Sequence, residues 1–193
     1  MRVQEVAPGL WRWTGLHPEW KPTDAGPEGW EQEVGCVYYE APDAVVLFDP
    51  LAPPEDEAPF WHALDRDVER AGKPVRVLFT VSWHGRSAEA VATRYGAATD
   101  GPLPSGVEAH TMTAAEETAY WLPAHGALVF GDAVLGAAGG LRLCPESWLD
   151  GTLAQLEDEL RPLLELSVER VLVSHGEPVL TGGRAALERT LDV

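Results

Sequence analysis

The sequence predicts an α/β (α+β) protein in which two mixed β-sheets pack face to face with helices outside. Three observations carry this expectation. Apolar periodicity alternates between two and about 3.6 residues, giving the order strands, helix, strand, helix, strands, helix, strand, helix. The first half has the turn chemistry of antiparallel hairpins, whereas the second has more helix. Several strands are apolar throughout, so both sheets need cover. With 193 residues and 45 % hydrophobic content, one domain spanning 1–193 can bury a full core.

Each element has a local reason. Arg2–Val6 and Leu10–Trp13 flank a Pro8-Gly9 turn and read as a hairpin. Residues 15–30 hold Pro18, Pro22, Pro27, Gly26 and Gly29 and read as a loop. Val34–Glu40 and Ala44–Phe48 are strands joined by Ala41-Pro42-Asp43. Phe60, Leu64 and Val68 recur at helical spacing, and Gly72 with Pro74 stops that helix. Val75–Thr80 is a strand, and Ser87 caps a helix running through Tyr95 to Gly96. Strands are expected around Val107–His110, Glu117–Leu122 and Ala127–Phe130. Asp150 is placed as the cap of a helix bearing Leu153, Leu156, Leu160 and Leu163, which Pro162 bends or breaks. Val171–Ser174 and a closing helix over Arg184–Leu191 complete the chain.

Charge narrows the function. Lys+Arg 14 against Asp+Glu 31 gives a net charge of −17, which argues against nucleic acid and against anionic membrane surfaces. Two cysteines, Cys36 and Cys144, make no disulfide framework and read as packing residues. No basic-then-apolar leader opens the sequence and no apolar run approaches a membrane span, so a soluble cytoplasmic protein is expected.

In layered α/β folds, functional groups gather where loops leave the ends of strands. Four strand ends here carry side chains of catalytic type: Asp49; Ser82, His84 and Arg86; Asp132 after Gly131; and His175 before Gly176. Bland readings stand beside these. His17, His62 and His125 read as loop or surface residues, and His110 as a strand-end residue. Ser82 with His84 and Asp132 lacks any nucleophile-elbow sequence. Of the eight tryptophans, Trp11, Trp13, Trp20 and Trp30 cluster in the N-terminal section and read first as packing, with the lining of a ligand cleft as the alternative for some.

The order Val45-Val46-Leu47-Phe48-Asp49, Val77-Leu78-Phe79-Thr80, Leu128-Val129-Phe130-Gly131-Asp132 and Val171-Leu172-Val173-Ser174-His175-Gly176-Glu177-Pro178 resembles the metallo-β-lactamase-fold superfamily from about Val34 onward. The resemblance implies a four-layer αββα sandwich with a metal cleft at one edge of the sheets. It also implies a hydrolase. The family's main signature, H-x-H-x-D-H, is degenerate here. Its first His falls on Val81, the second on Trp83, the Asp on Gly85 and the third His on Arg86, while a later ligand His falls on Thr113. Asp132 and His175 match family ligands, and Asp49 matches an Asp standing just outside the ligand set.

Valine and tryptophan cannot ligate, and arginine is a permanent cation. The expectation is therefore a divergent, metal-free member whose cleft binds a small molecule, with Arg86, Trp83 and Asp49 as ligand-contacting residues. In this reading Arg86 pairs with Asp132 in place of a metal. The alternative is a single-metal hydrolase of an ester, thioester or amide. His84, turned inward, would then join Asp132 and His175 in holding zinc or another divalent ion, with His110 as a further candidate. Whether the protein is an enzyme is left open by the residues, as are its substrate and oligomeric state.

Overall fold

The structure, a computed structural model, describes residues 1–192. Four layers form as the apolar faces find their partners. The first sheet contains β1 (Arg2–Ala7), β2 (Leu10–Leu16), β3 (Glu33–Glu40), β4 (Val45–Phe48) and β5 (Val75–Leu78) in spatial order 1-2-3-4-5. The β4–β5 pair is parallel and the others antiparallel, so this sheet is mixed. Helices α1 (Glu57–Ala71) and α2 (Ala88–Tyr95) cover its outer face. The second sheet has β6 (Glu108–Met112), β7 (Glu117–Leu122), β8 (Ala127–Phe130) and β11 (Arg170–Val173) in the order 11-8-7-6. Its β11–β8 pair is parallel. Helices α3 (Leu153–Leu160) and α4 (Gly183–Thr190) cover it, and β9 (Val134–Ala137) and β10 (Gly140–Leu143) form a separate hairpin.

Strand alternation sorts the core. In β4, Val45 and Leu47 face the α1 layer, while Val46 and Phe48 meet Tyr120, Val129 and Leu172 between the sheets. All four are buried, which explains why the segment shows no polar alternation. On α1, Phe60 and Leu64 lie one turn apart and face inward. Gly72 then adopts the left-handed conformation (φ 61°) and returns its N–H to the Val68 carbonyl. Leu156, Leu160 and Leu187 do the same work on the other side of the molecule. Among the described residues no helix is long and apolar enough to cross a membrane.

Both helix caps expected from sequence are corrected: Ser87 stands at the start of α2, but its hydroxyl accepts the Ala52 N–H at 2.9 Å and no helix N–H. Thr152, not Asp150, caps α3: its hydroxyl accepts the Gln155 N–H, and the Gln155 side chain accepts the Thr152 N–H at 2.9 Å. This reciprocal pairing satisfies two otherwise orphan donors, whereas Asp150 contributes its own backbone N–H to the Ala114 carbonyl at 3.0 Å. The hairpin β9–β10 was not anticipated, because Ala137 to Gly140 is a short glycine-rich turn between weakly patterned segments. Pro162 acts as expected, converting the end of α3 into a tighter 3₁₀ turn over Arg161–Glu165.

Thr152→Ala is expected to cost about 1 kcal/mol of stability, and Asp150→Ala less than about 0.5 kcal/mol. Urea denaturation of the two variants checks this; equal losses would mean that Asp150 shares the cap.

Candidate functional site

The two parallel strand pairs run their C-terminal ends to one rim of the sandwich, and backbone bonds stitch the sheets together there. Thr118 N–H donates to the Thr80 carbonyl at 2.7 Å, and Gly35 N–H to the Ser174 carbonyl at 2.7 Å. Bridges Val81–Glu117 and Val34–His175 extend the same seam. Val81, aligned above with a metal-binding His, is thus buried in this seam.

Above the seam, His84, Asp132 and His175 converge. Asp132 Oδ1 lies 3.4 Å from His84 Nε2 and 3.2 Å from His175 Nε2. One ligand atom from each residue lies within 4.8 Å of the others. Trp83 donates its indole N–H to the second Asp132 oxygen at 2.9 Å while the ring stays half exposed. His84 is oriented from behind, with Nδ1 at 3.0 Å from Asp49 Oδ2. Asp49 is itself fixed by the Thr80 N–H (2.9 Å) and the Thr80 hydroxyl. It adopts a left-handed φ of 47°, a conformation that Asp tolerates better than most residues.

The charges are coupled. Burial pulls the His84 pKa down, but Asp49 and Asp132 outweigh it and raise the imidazole to about 9. Burial opposes ionisation of Asp132, yet the two imidazoles hold its carboxyl well below the usual range. His175 is lowered by burial, with Asp132 offsetting part of that effect.

Arg86 does not pair with Asp132, contrary to the sequence expectation. Its Nη1 donates to the backbone carbonyls of Gly35 and Asp49, both at 3.1 Å, and its Nη2 lies 3.4 Å from His84 Nε2. The cause is local: Arg86 has a φ of 36°, and its guanidinium is directed to the ends of β3 and β4. Trp83 and the two histidines surround Asp132 instead. His110 also lies outside the cluster, on β6 opposite Ala119. Thr113 is exposed, and Ala115 is the residue of that turn that reaches the cleft.

Glu117 is the main residue that sequence reasoning missed. It is buried at the start of β7, and its carboxylate accepts the N–H groups of Gly131 (2.8 Å), Asp132 (2.7 Å) and Ala133 (2.6 Å). Burial and the Asp132 charge push its pKa up to about 7, against the three donors that favour the anion. The available signal was an acid heading an otherwise apolar strand. Gly131 is required beside it, because a Cβ there would come within 2.2 Å of Thr80 Oγ1.

The cleft has a volume of about 480 Å³, with Trp30, Trp83 and Trp148 among its walls. Trp30 and Trp148 meet the His175 ring edge-on at 5.4 and 6.2 Å. His17, Glu19, Arg86 and Cys144 complete the polar part of the lining. Trp30 thus lines the cleft, the second of the two roles open to the N-terminal tryptophans, while His17, Cys144 and Trp148 reach it with no signal in the sequence. The segment holding Trp30 is tied across the cleft, since the Trp148 indole donates to the Glu28 carbonyl at 2.8 Å.

No protein-family model and no curated protein matches the chain. Solved structures do. The DIM-1 metallo-β-lactamase aligns with a TM-score of 0.65 at 13 % identity, covering 99 % of this chain and 94 % of that one. A metallo-β-lactamase from Erythrobacter litoralis aligns at 0.64 and 17 % identity, over 98 % and 90 % of the two chains. The metallo-β-lactamase IND-7 aligns at 0.63 and 14 % identity, over 100 % and 98 %. The chain has the metallo-β-lactamase fold. Identity at this level shows the architecture alone; chemistry must be argued from the residues themselves.

Glu117→Gln is expected to destabilise the protein by about 1–3 kcal/mol, because an amide N–H₂ would have to face a backbone N–H. Urea unfolding measures this, and a change within about 0.5 kcal/mol would show that the three bonds do not hold the turn.

Proposed function

We propose that this cleft holds a single divalent metal ion and serves a hydrolase acting on a small-molecule ester, thioester or amide. One observation carries the reading. Asp132 Oδ1 is buried between His175 Nε2 and His84 Nε2, at 3.2 and 3.4 Å, in charge contact with both but without an aligned hydrogen bond from either. Such converging but unaligned donors suit a cation between them, since ligands about 2.0–2.1 Å from a tetrahedral ion are themselves about 3.3–3.4 Å apart. The donor set therefore fits His84 Nε2, Asp132 Oδ1 and His175 Nε2 as three ligands with a position to spare. Ligands for a second ion have no source in Val81, Trp83, Gly85 or Ala115, none of whose side chains has a suitable atom.

When bound, such an ion supplies Lewis-acid polarisation of a carbonyl and a water of lowered pKa. The chain's own groups do the rest. Asp49 accepts the His84 Nδ1–H, so that a cation taking the place of the Nε2 proton would meet a lone pair facing the site. Trp83 neutralises part of the charge on the other Asp132 oxygen. Trp30 and Trp148 exclude water on the His175 side and offer flat apolar walls to an acyl group. Arg86, on the rim, offers a cation to a carboxylate or phosphate on the ligand.

The metal-free cleft remains the competing reading, and one observation favours it: Arg86 Nη2 stands 3.4 Å from His84 Nε2, which disfavours a cation on that nitrogen. Metal analysis of protein purified without chelator separates the two. One zinc, iron or manganese per chain is expected, with anomalous scattering centred on the three residues. Asp132→Ala and His175→Ala are each expected to abolish stoichiometric uptake while remaining folded. Chelation is expected to remove hydrolysis of a panel of esters, thioesters and amides. Wild-type protein that takes up no metal at micromolar concentration would sink the proposal.

A further inference from the structure

Arg12 is an anomaly of the interior. It lies on β2, 3 % exposed, and among the described residues its guanidinium meets backbone carbonyls rather than a carboxylate, with Nε left without a hydrogen-bond partner. Burying an unpaired cation is unfavourable, so its surroundings should show what it does. Its Nη2 donates to the Gly176 carbonyl at 2.9 Å and reaches the Val173 carbonyl at 3.4 Å. Between those two, Gly35 N–H holds the Ser174 carbonyl (2.7 Å) and Gly136 N–H holds the His175 carbonyl (2.8 Å). Four consecutive carbonyls around His175 are thus occupied, the outer pair by one guanidinium. Gly35 makes room for it, since a Cβ there would lie 2.6 Å from Arg12 Nη2.

His175 needs such a clamp more than His84 does. The His84 ring is held through Nδ1 by Asp49, whereas His175 Nδ1 has no hydrogen-bond partner. Its ring is set by its backbone and by edge contacts with Trp30 and Trp148. We propose that Arg12 is a positioning residue for His175, clamping the 173–176 turn so that Nε2 stays directed at Asp132. The consequence for metal affinity rests on the single-metal reading above; the positioning itself does not.

The test uses the full chain with Arg12→Met, without donors, and Arg12→Lys, whose ammonium keeps the charge but falls about one bond short of the place where Nη2 reaches both carbonyls. Zinc affinity is read by competition with a chromogenic chelator. Both variants are expected to bind about 10- to 100-fold more weakly, whereas Leu64→Ala, on the inner face of α1, lowers stability and leaves affinity unchanged. Wild-type affinity in both Arg12 variants would overturn the proposal. A second arm needs no metal: the His175 imidazole resonances are expected to shift or broaden in both variants while those of exposed His62 stay put. Unmoved His175 resonances would equally overturn it. Should wild-type protein take up no zinc, the metal reading fails and the resonances still decide the role of Arg12. Should Arg12→Met not fold, Arg12→Lys decides both arms.

Discussion

The rim depends on one buried carboxylate. Glu117 accepts three successive backbone N–H groups from the turn after β8, and those groups would otherwise be orphaned between two sheets. The same residue bridges to Val81, so the turn carrying Asp132 and the loop carrying His84 are referenced to a single point on β7. Because parallel pairs in both sheets end here, their loops would diverge without such a tie. Gly131 follows from it: the turn can approach Thr80 this closely only if no Cβ intervenes.

A second layer of order is electrostatic. Thr80 fixes Asp49, Asp49 fixes His84, and His84 faces Asp132. Charges alternate along this line, which keeps three largely buried ionisable groups compatible with one another. Arg86 adds a permanent cation at the side, anchored on backbone carbonyls rather than on a carboxylate. The molecule's net charge of −17 therefore describes its surface, while the cleft combines acidic and basic groups at close range.

Most of the architecture was legible because strands and helices here obey simple periodicities. Fully apolar β4 and β8 had to be central, and Phe60 with Leu64 had to face a sheet. What escaped was set by contacts distant in sequence. The hydroxyl of Thr152 and the acid of Asp150 are both respectable caps, and only the turn geometry chooses between them. Glu117 looks like an ordinary polar residue at a strand start until the facing turn presents three donors. Trp148 lies far along the chain from the Glu28 carbonyl that its indole meets.

The loop after β5 shows how a side chain outside the aligned motif positions comes to face the cleft. Matching residue by residue places no ligand at Val81, Trp83, Gly85 or Arg86, and that count is correct as chemistry. Yet the loop turns tightly, with His84 N–H donating to the Val81 carbonyl at 3.1 Å and Ala88 N–H to the Gly85 carbonyl at 2.8 Å. Those turns carry the His84 ring under the rim, where Asp49 receives one nitrogen and Asp132 faces the other. What a histidine can bind is set by where one ring nitrogen arrives and by what holds the other. By that criterion the histidine out of register is the one that belongs to the cluster, and Arg86, in register with a family histidine, braces the strand ends beside it.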